Sequence, residues 1–133
     1  MTVTVIRHAA HSSETPNLPA QLGSHAVVCR ECNCVEEVSQ CLCQIKAQPD
    51  DWVVLELGDV DEQQWREQGS ALAAALETLP TQYIEVRGTA GFDLESRLRL
   101  HHAPTVVVVD HRSGQGGYPL SLGIIRNCLA LEA

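Results

Sequence analysis

Five of the six cysteines, Cys29, Cys32, Cys34, Cys41 and Cys43, fall within fifteen residues. Thiolates bind soft metals and exchange disulfides, and Cys29-x-x-Cys32 has the spacing of half a zinc or redox site. A four-thiolate cage asks for a second such pair. The remaining pair is Cys41-x-Cys43, which falls on an expected helix, where residues two apart point to different sides. The expectation is therefore thiols that pack as small hydrophobes, with no metal and no cofactor. A metal or redox module centred on these cysteines is the alternative.

Other groups suited to proton or anion chemistry are spread along the chain. Glu56, Glu85 and Arg87 sit in or just after apolar runs, Arg97 and Arg99 precede His101-His102, and His8, His11 and His25 are scattered through the first quarter. Metal ligands must converge, and nothing in the spacing of these histidines makes them do so. Asp110-His111 has no Ser in a nucleophile-elbow context to complete a triad. Ser113-Gly-Gln-Gly-Gly117 invites comparison with a phosphate loop, but the Lys-Ser/Thr pair is missing and Pro119 removes a donor, so a tight packing turn is expected there.

Composition narrows the class. The chain of 133 residues is 44% hydrophobic and only 4% aromatic, so a single core of Val, Leu, Ile and Ala is expected. Nine Lys plus Arg against seventeen Asp plus Glu give a formal charge of -8, which repels nucleic-acid phosphates and anionic lipid. No apolar run approaches the roughly 20 residues of a membrane span, and no export signal opens the chain, so a cytoplasmic protein with reduced thiols is expected.

The elements that must position these residues follow from periodicity. Short strands are expected at Val3 to Ile6, Ala26 to Cys29, Trp52 to Leu57, Tyr83 to Val86 and Thr105 to Val109, with a long loop from His8 to Gly23. Asn33 with Glu36 reads as a capping box opening a helix whose apolar positions are Val35, Val38, Leu42 and Ile45. A helix from Asp61 or Glu62 carries Trp65, Leu72, Leu76 and Leu79, with Gly69 a candidate break. A short helix is expected from Asp93 to Leu100, then a turn from Gly114 to Gly117, then a last helix with Pro119 at its first position and Leu122, Ile125 and Leu129 buried. Alternating strands and helices predict a single doubly wound α/β domain, a five-stranded parallel sheet with helices on both faces. Ligands of such sheets bind beyond the carboxyl ends of the strands.

Those strand ends also carry a family resemblance. Arg30-Glu-Cys-Asn33-Cys-Val-Glu-Glu37-Val resembles the second-strand signature Arg-Gln-Ser-Asn-His-Glu-Gly-Glu-Leu of the type II 3-dehydroquinate dehydratases. Trp52 to Asp59 resembles their buried strand and Asn-Pro-Gly-Ala turn, and Ser70 to Leu79 their Ser-Val-Ala-Leu-Arg-Asp-Ala-Leu helix. Tyr83-Ile-Glu85-Val-Arg87 resembles the strand ending Ile-Glu-Val-His, and Gly114-Gln-Gly-Gly-Tyr118 the Gly-Ala-Gln-Gly-Tyr loop. The similarity spans about residues 26–130 and rests on the order and spacing of these segments. It implies a flavodoxin-like fold and a homo-oligomer, trimers building dodecamers.

The departures decide what function the resemblance implies. The family removes water with a Tyr base on a lid after the first strand and a His acid. Residues 7–24 contain no Tyr, and the His position is taken by Arg87, whose guanidinium stays protonated and cannot act as a general acid. Glu56 replaces the Asn that binds substrate and would repel a carboxylate. Glu85 matches the Glu that orients the His, Gly88 and Thr89 match the residues that hold the substrate carboxylate, and Arg97 or Arg99 matches the substrate Arg. Together with Asn33 these form either a small-carboxylate site or, for Glu85 and Arg87, an ordinary strand-end ion pair. The expectation is a dehydroquinase-like protein without dehydratase activity, binding a small carboxylate or serving an assembly role. The alternative is a lyase with relocated groups.

Overall fold

A computed structural model describes residues 2–8, 18–45, 51–57, 62–87, 98, 100–109 and 117–132, with backbone alone for residues 87, 109, 117–119 and 129–132. The strands are β1 (Thr2–His8), β2 (Gln21–Leu22), β3 (His25–Cys32), β4 (Trp52–Leu57), β5 (Gln82–Arg87) and β6 (Val106–Val109). The helices are α1 (Val35–Cys43), α2 (Glu62–Glu77) and α3 (Gly117–Glu132). One six-stranded sheet runs β2-β3-β1-β4-β5-β6. All neighbours pair in parallel except β2, which is antiparallel to β3.

The architecture is α/β, and the sheet is mixed rather than the expected five-stranded parallel one. The additional strand β2 depends on Gly23, whose φ of 63° lets the chain reverse between Leu22 and His25. Two residues are too few to show any period, which is why this stretch reads as loop. β1 and β3 also run farther than their apolar runs. Parallel pairing continues through Arg7–Glu31 and His8–Cys32, where hydropathy gives no sign of a strand.

Side-chain alternation along the strands feeds two cores. On one face Ile6, Leu55 and Tyr83 meet Val38 and Leu42 of α1 and Leu72 and Leu76 of α2. On the other Val5, Val54, Ile84 and Val108 meet Leu122 and Ile125 of α3. Central strands buried on both faces have to be nearly all apolar, as Trp52 to Leu57 is. A fully buried Leu or Ile contributes about 1.5–3 kcal/mol relative to exposure, so these layers supply the main drive to fold.

The helices depart from expectation at their ends. The N-cap of α1 is Cys34, without a side-chain cap, and the Asn33 amide donates to Glu37 Oε2 at 2.7 Å. The Asn33–Glu36 capping box is thereby corrected: β3 runs on to Cys32, the helix starts at Val35, and Glu37 is the residue that reaches back. α2 passes through Gly69 unbroken. Gly69 is buried, with Leu98 Cδ2 and Trp65 Cε3 at 3.8 and 4.0 Å from the position of a Cβ, so tertiary packing outweighs its propensity cost of about 1 kcal/mol. α3 begins at Gly117, which places Pro119 third rather than first, still in the turn whose amides lack intrahelical acceptors. The expected helix from Asp93 to Leu100, apart from Leu98 and Leu100, and the expected turn from Gly114 to Gly116 lie outside the described residues.

The approach to β6 is docked onto α2 and β5. Glu77 Oε1 accepts from the amides of His101 at 2.6 Å and His102 at 3.1 Å. The Tyr83 hydroxyl donates to the His102 carbonyl at 2.8 Å, and His102 Nε2 donates to the Thr81 carbonyl at 3.1 Å. The His102 amide, and then the His101 amide, hold the Glu77 carboxyl below its ordinary value of 4.5. A carboxyl depressed on folding adds stability above its unfolded pKa and loses it as pH falls through the folded one. Urea titrations of wild type and Glu77→Gln should therefore differ most near neutral pH and converge as pH drops below 4.5. A difference independent of pH contradicts this role.

Candidate functional site

The carboxyl ends of β3, β1 and β4 place an arginine between two glutamates. Arg7 follows Val3 and Val5 on the α3 face of β1, level with Glu31 of β3 and Glu56 of β4. Arg7 Nη1 lies 2.9 Å from Glu31 Oε1, and Arg7 Nε lies 3.0 Å from Glu56 Oε1. The Arg7 side chain is 6% exposed, that of Glu56 14% and that of Glu31 51%. Moving a guanidinium out of water costs several kcal/mol unless charge and hydrogen bonds compensate, and a carboxylate from each flanking strand does so. The trio carries a net charge of one minus.

Chemically, this arrangement holds and does not transfer protons. Arginine stays charged through the working range, and its two bonded nitrogens lock the guanidinium plane against both strands. Glu56 was expected to face the substrate position and repel a carboxylate there. It is instead turned toward Arg7, whose charge offsets it. Arg7 escaped the sequence analysis because its partners are 24 and 49 residues away. Continued alternation from Val3 and Val5 is the one local signal that marks its face.

The opposite face at the same strand ends holds His8, Cys32, Leu57 and Glu85, all buried. His8 is level with Cys32 and Leu57, and Glu85 is level with Leu55. The expected site is consequently divided by the sheet, because Glu56 and Glu85 project from opposite faces. Asn33 lies exposed just beyond β3, its amide bound to Glu37. Arg87 ends β5 opposite Val109, and its side chain lies outside the described residues, as do Gly88, Thr89, Arg97 and Arg99.

Tyrosine and imidazole do meet, at the wrong end of the sheet for that chemistry. The Tyr83 and His102 rings stand 5.3 Å apart, edge to face, at the start of β5, and Tyr83 is completely buried. Its hydroxyl serves the His102 carbonyl.

A cavity of about 300 Å³ opens on the α1 side of the sheet, at the amino-terminal half of β1 and β4. Thr2, Thr4, Arg30, Cys41, Gln44 and Asp51 are among its lining residues, and Asp51 Oδ1 accepts from the Thr2 amide at 2.7 Å. Its position is unlike the expected one beyond the strand ends. Cys41 also lies 3.7 Å, sulfur to sulfur, from Cys32. Burial, and then the hydrogen bond with Cys41, push the Cys32 thiol up to about 12. Partial desolvation and the Glu31 carboxylate raise Cys29. Cys29 and Cys32, three apart on β3, face opposite sides, so their spacing makes no shared site. Among the described residues no group of three His, Cys, Asp or Glu side chains is placed to hold a metal ion.

No family model matches the chain, and no curated protein does. Among solved structures it is similar to a CpaE2 pilus assembly protein from Sinorhizobium meliloti, at 14% identity and a TM-score of 0.50, over 95% of this chain and 98% of that one. At such identity the likeness shows an α/β fold and no chemistry. Among the described residues no helix is long and apolar enough to cross a membrane.

Replacing Arg7 by Met should destabilise the protein by about 3 kcal/mol, because it leaves the Glu56 carboxylate shielded and unmatched. Glu31→Gln, at a half-exposed position, should cost under about 1 kcal/mol. Equal effects in chemical denaturation contradict the assignment of Glu56 as the main partner.

Proposed function

We propose that this chain is a dehydroquinase-like α/β protein that does not catalyse the dehydration. Its parallel strands, taken in chain order, lie second, first, third, fourth, fifth across the sheet, the flavodoxin-like order that the resemblance implies. The carrying observation is the commitment of Tyr83 and Glu56 to other partners. Tyr83 is buried with its hydroxyl on a backbone carbonyl, Glu56 is paired with Arg7, and residues 7–24 contain no Tyr to serve as the lid base. Arg87 stands in the register of the proton donor and cannot release its proton.

The ligand of such a protein is a small carboxylate held by Gly88 and Thr89 with Arg97 or Arg99, and Glu85 orients Arg87 beside it. This binding half of the proposal rests on the resemblance and on the position of β5, whose last residue directly precedes Gly88 in the chain. An oligomer built from trimers belongs to the same reading.

Purified protein incubated with 3-dehydroquinate, and followed by the ultraviolet absorbance of the conjugated product, should show no turnover above the uncatalysed rate. Turnover within the ordinary enzyme range of about 1–10³ per second overturns the proposal and favours a lyase with relocated groups.

A further inference from the structure

Two thiols in this protein stand in contact without being bonded, and one of them borders the cavity. Cys32 closes β3 and Cys41 lies on α1, with their sulfurs 3.7 Å apart. Cys32 is 5% exposed and therefore shielded from reagents in solution. Cys41 is half-buried and lines the cavity of about 300 Å³, a volume at the lower end of small-molecule pockets. Arg30 and Gln44, both exposed, also line it and present donors suited to carboxylate or amide groups of an entering molecule.

We propose that this cavity is a thiol-modification site, at which a small-molecule disulfide of the glutathione type oxidises Cys41 and Cys32 to an intramolecular disulfide. In the first step the Cys41 thiolate attacks one sulfur of the small disulfide, a mixed disulfide forms, and one small thiol leaves. In the second, Cys32 loses its proton to solvent and attacks the Cys41 sulfur, and the second small thiol departs. Two protein thiols are oxidised and one small disulfide is reduced to two thiols, so electrons and protons balance. Closure asks the sulfurs to approach from 3.7 Å to the bonded distance of about 2 Å, a change within reach of side-chain rotation. The high pKa of Cys32 agrees with its acting second, since the thiolate is the attacking form.

The remaining cysteines lack this combination. Cys29 projects from the other face of β3, Cys43 is exposed two residues beyond Cys41, Cys34 caps α1, and Cys128 packs with the α3 core. The reduced full chain incubated with oxidised glutathione, alkylated, and cleaved after glutamate yields segments 32–36 and 38–56, which separate Cys32 and Cys34 from Cys41 and Cys43. Mass spectrometry should find a Cys32–Cys41 bridge as the main product. Cys32→Ala should stop at a stable glutathione adduct on Cys41, and Cys41→Ala should leave Cys32 unmodified. A bridge between any other pair, no bridge, or an adduct on Cys43 or Cys29 formed as fast as on Cys41 overturns the proposal.

Discussion

A guanidinium placed on an inner strand has to be matched by charge from its neighbours, and the region around the mouth of this sheet follows from that requirement. Arg7 continues the run Val3-Thr-Val-Ile6 onto a position where a fourth apolar residue would otherwise pack. Its burial is tolerable because β3 and β4 present Glu31 and Glu56 at the same level. The pairing works only in this register. A slip of one residue on either strand would turn the carboxylate to the other face and leave the charge shielded and alone. The ion trio thus specifies strand alignment in addition to whatever net stability it adds.

That constraint separates the chemistry of the two faces. On the α3 face the polar groups of the strand ends are bound to one another. On the α1 and α2 face His8, Cys32 and Glu85 lie at the strand ends, and there Cys32 meets Cys41 of α1, which also borders the cavity. A proton-transfer site needs an acid and a base that face one substrate at matched pKa values. Glu56 and Glu85 face opposite ways, and Tyr83 with His102 serves to dock the approach to β6. In the thiol pair two reactive groups already touch, sulfur to sulfur at 3.7 Å.

How much of this was legible in the chain depended on whether the cause was local. Trp52 to Leu57 announced a strand because burial on both faces demands continuous apolar sequence, and the four valines of β6 did so through the β-propensity of branched side chains. α1 and α2 announced themselves through Val35, Val38 and Leu42 and through Trp65, Leu72 and Leu76. β2 did not, being held by one hairpin at Gly23. The starts and ends of β1 and β3 did not either, since pairing and not hydropathy extends them. Glu56 and Glu85 were placed correctly on strands, yet their faces depend on the register of β4 against β5. The Arg7 trio and the Cys32–Cys41 contact join residues whose proximity only the folded chain creates.

The double-mutant cycle of Arg7→Met and Glu56→Gln, measured by chemical denaturation, tests the ion trio most directly. The account predicts a coupling energy above about 1 kcal/mol, larger than that of the matching cycle with Glu31→Gln. Coupling within about 0.3 kcal/mol of zero would show that Arg7 and Glu56 act independently, and would contradict the account.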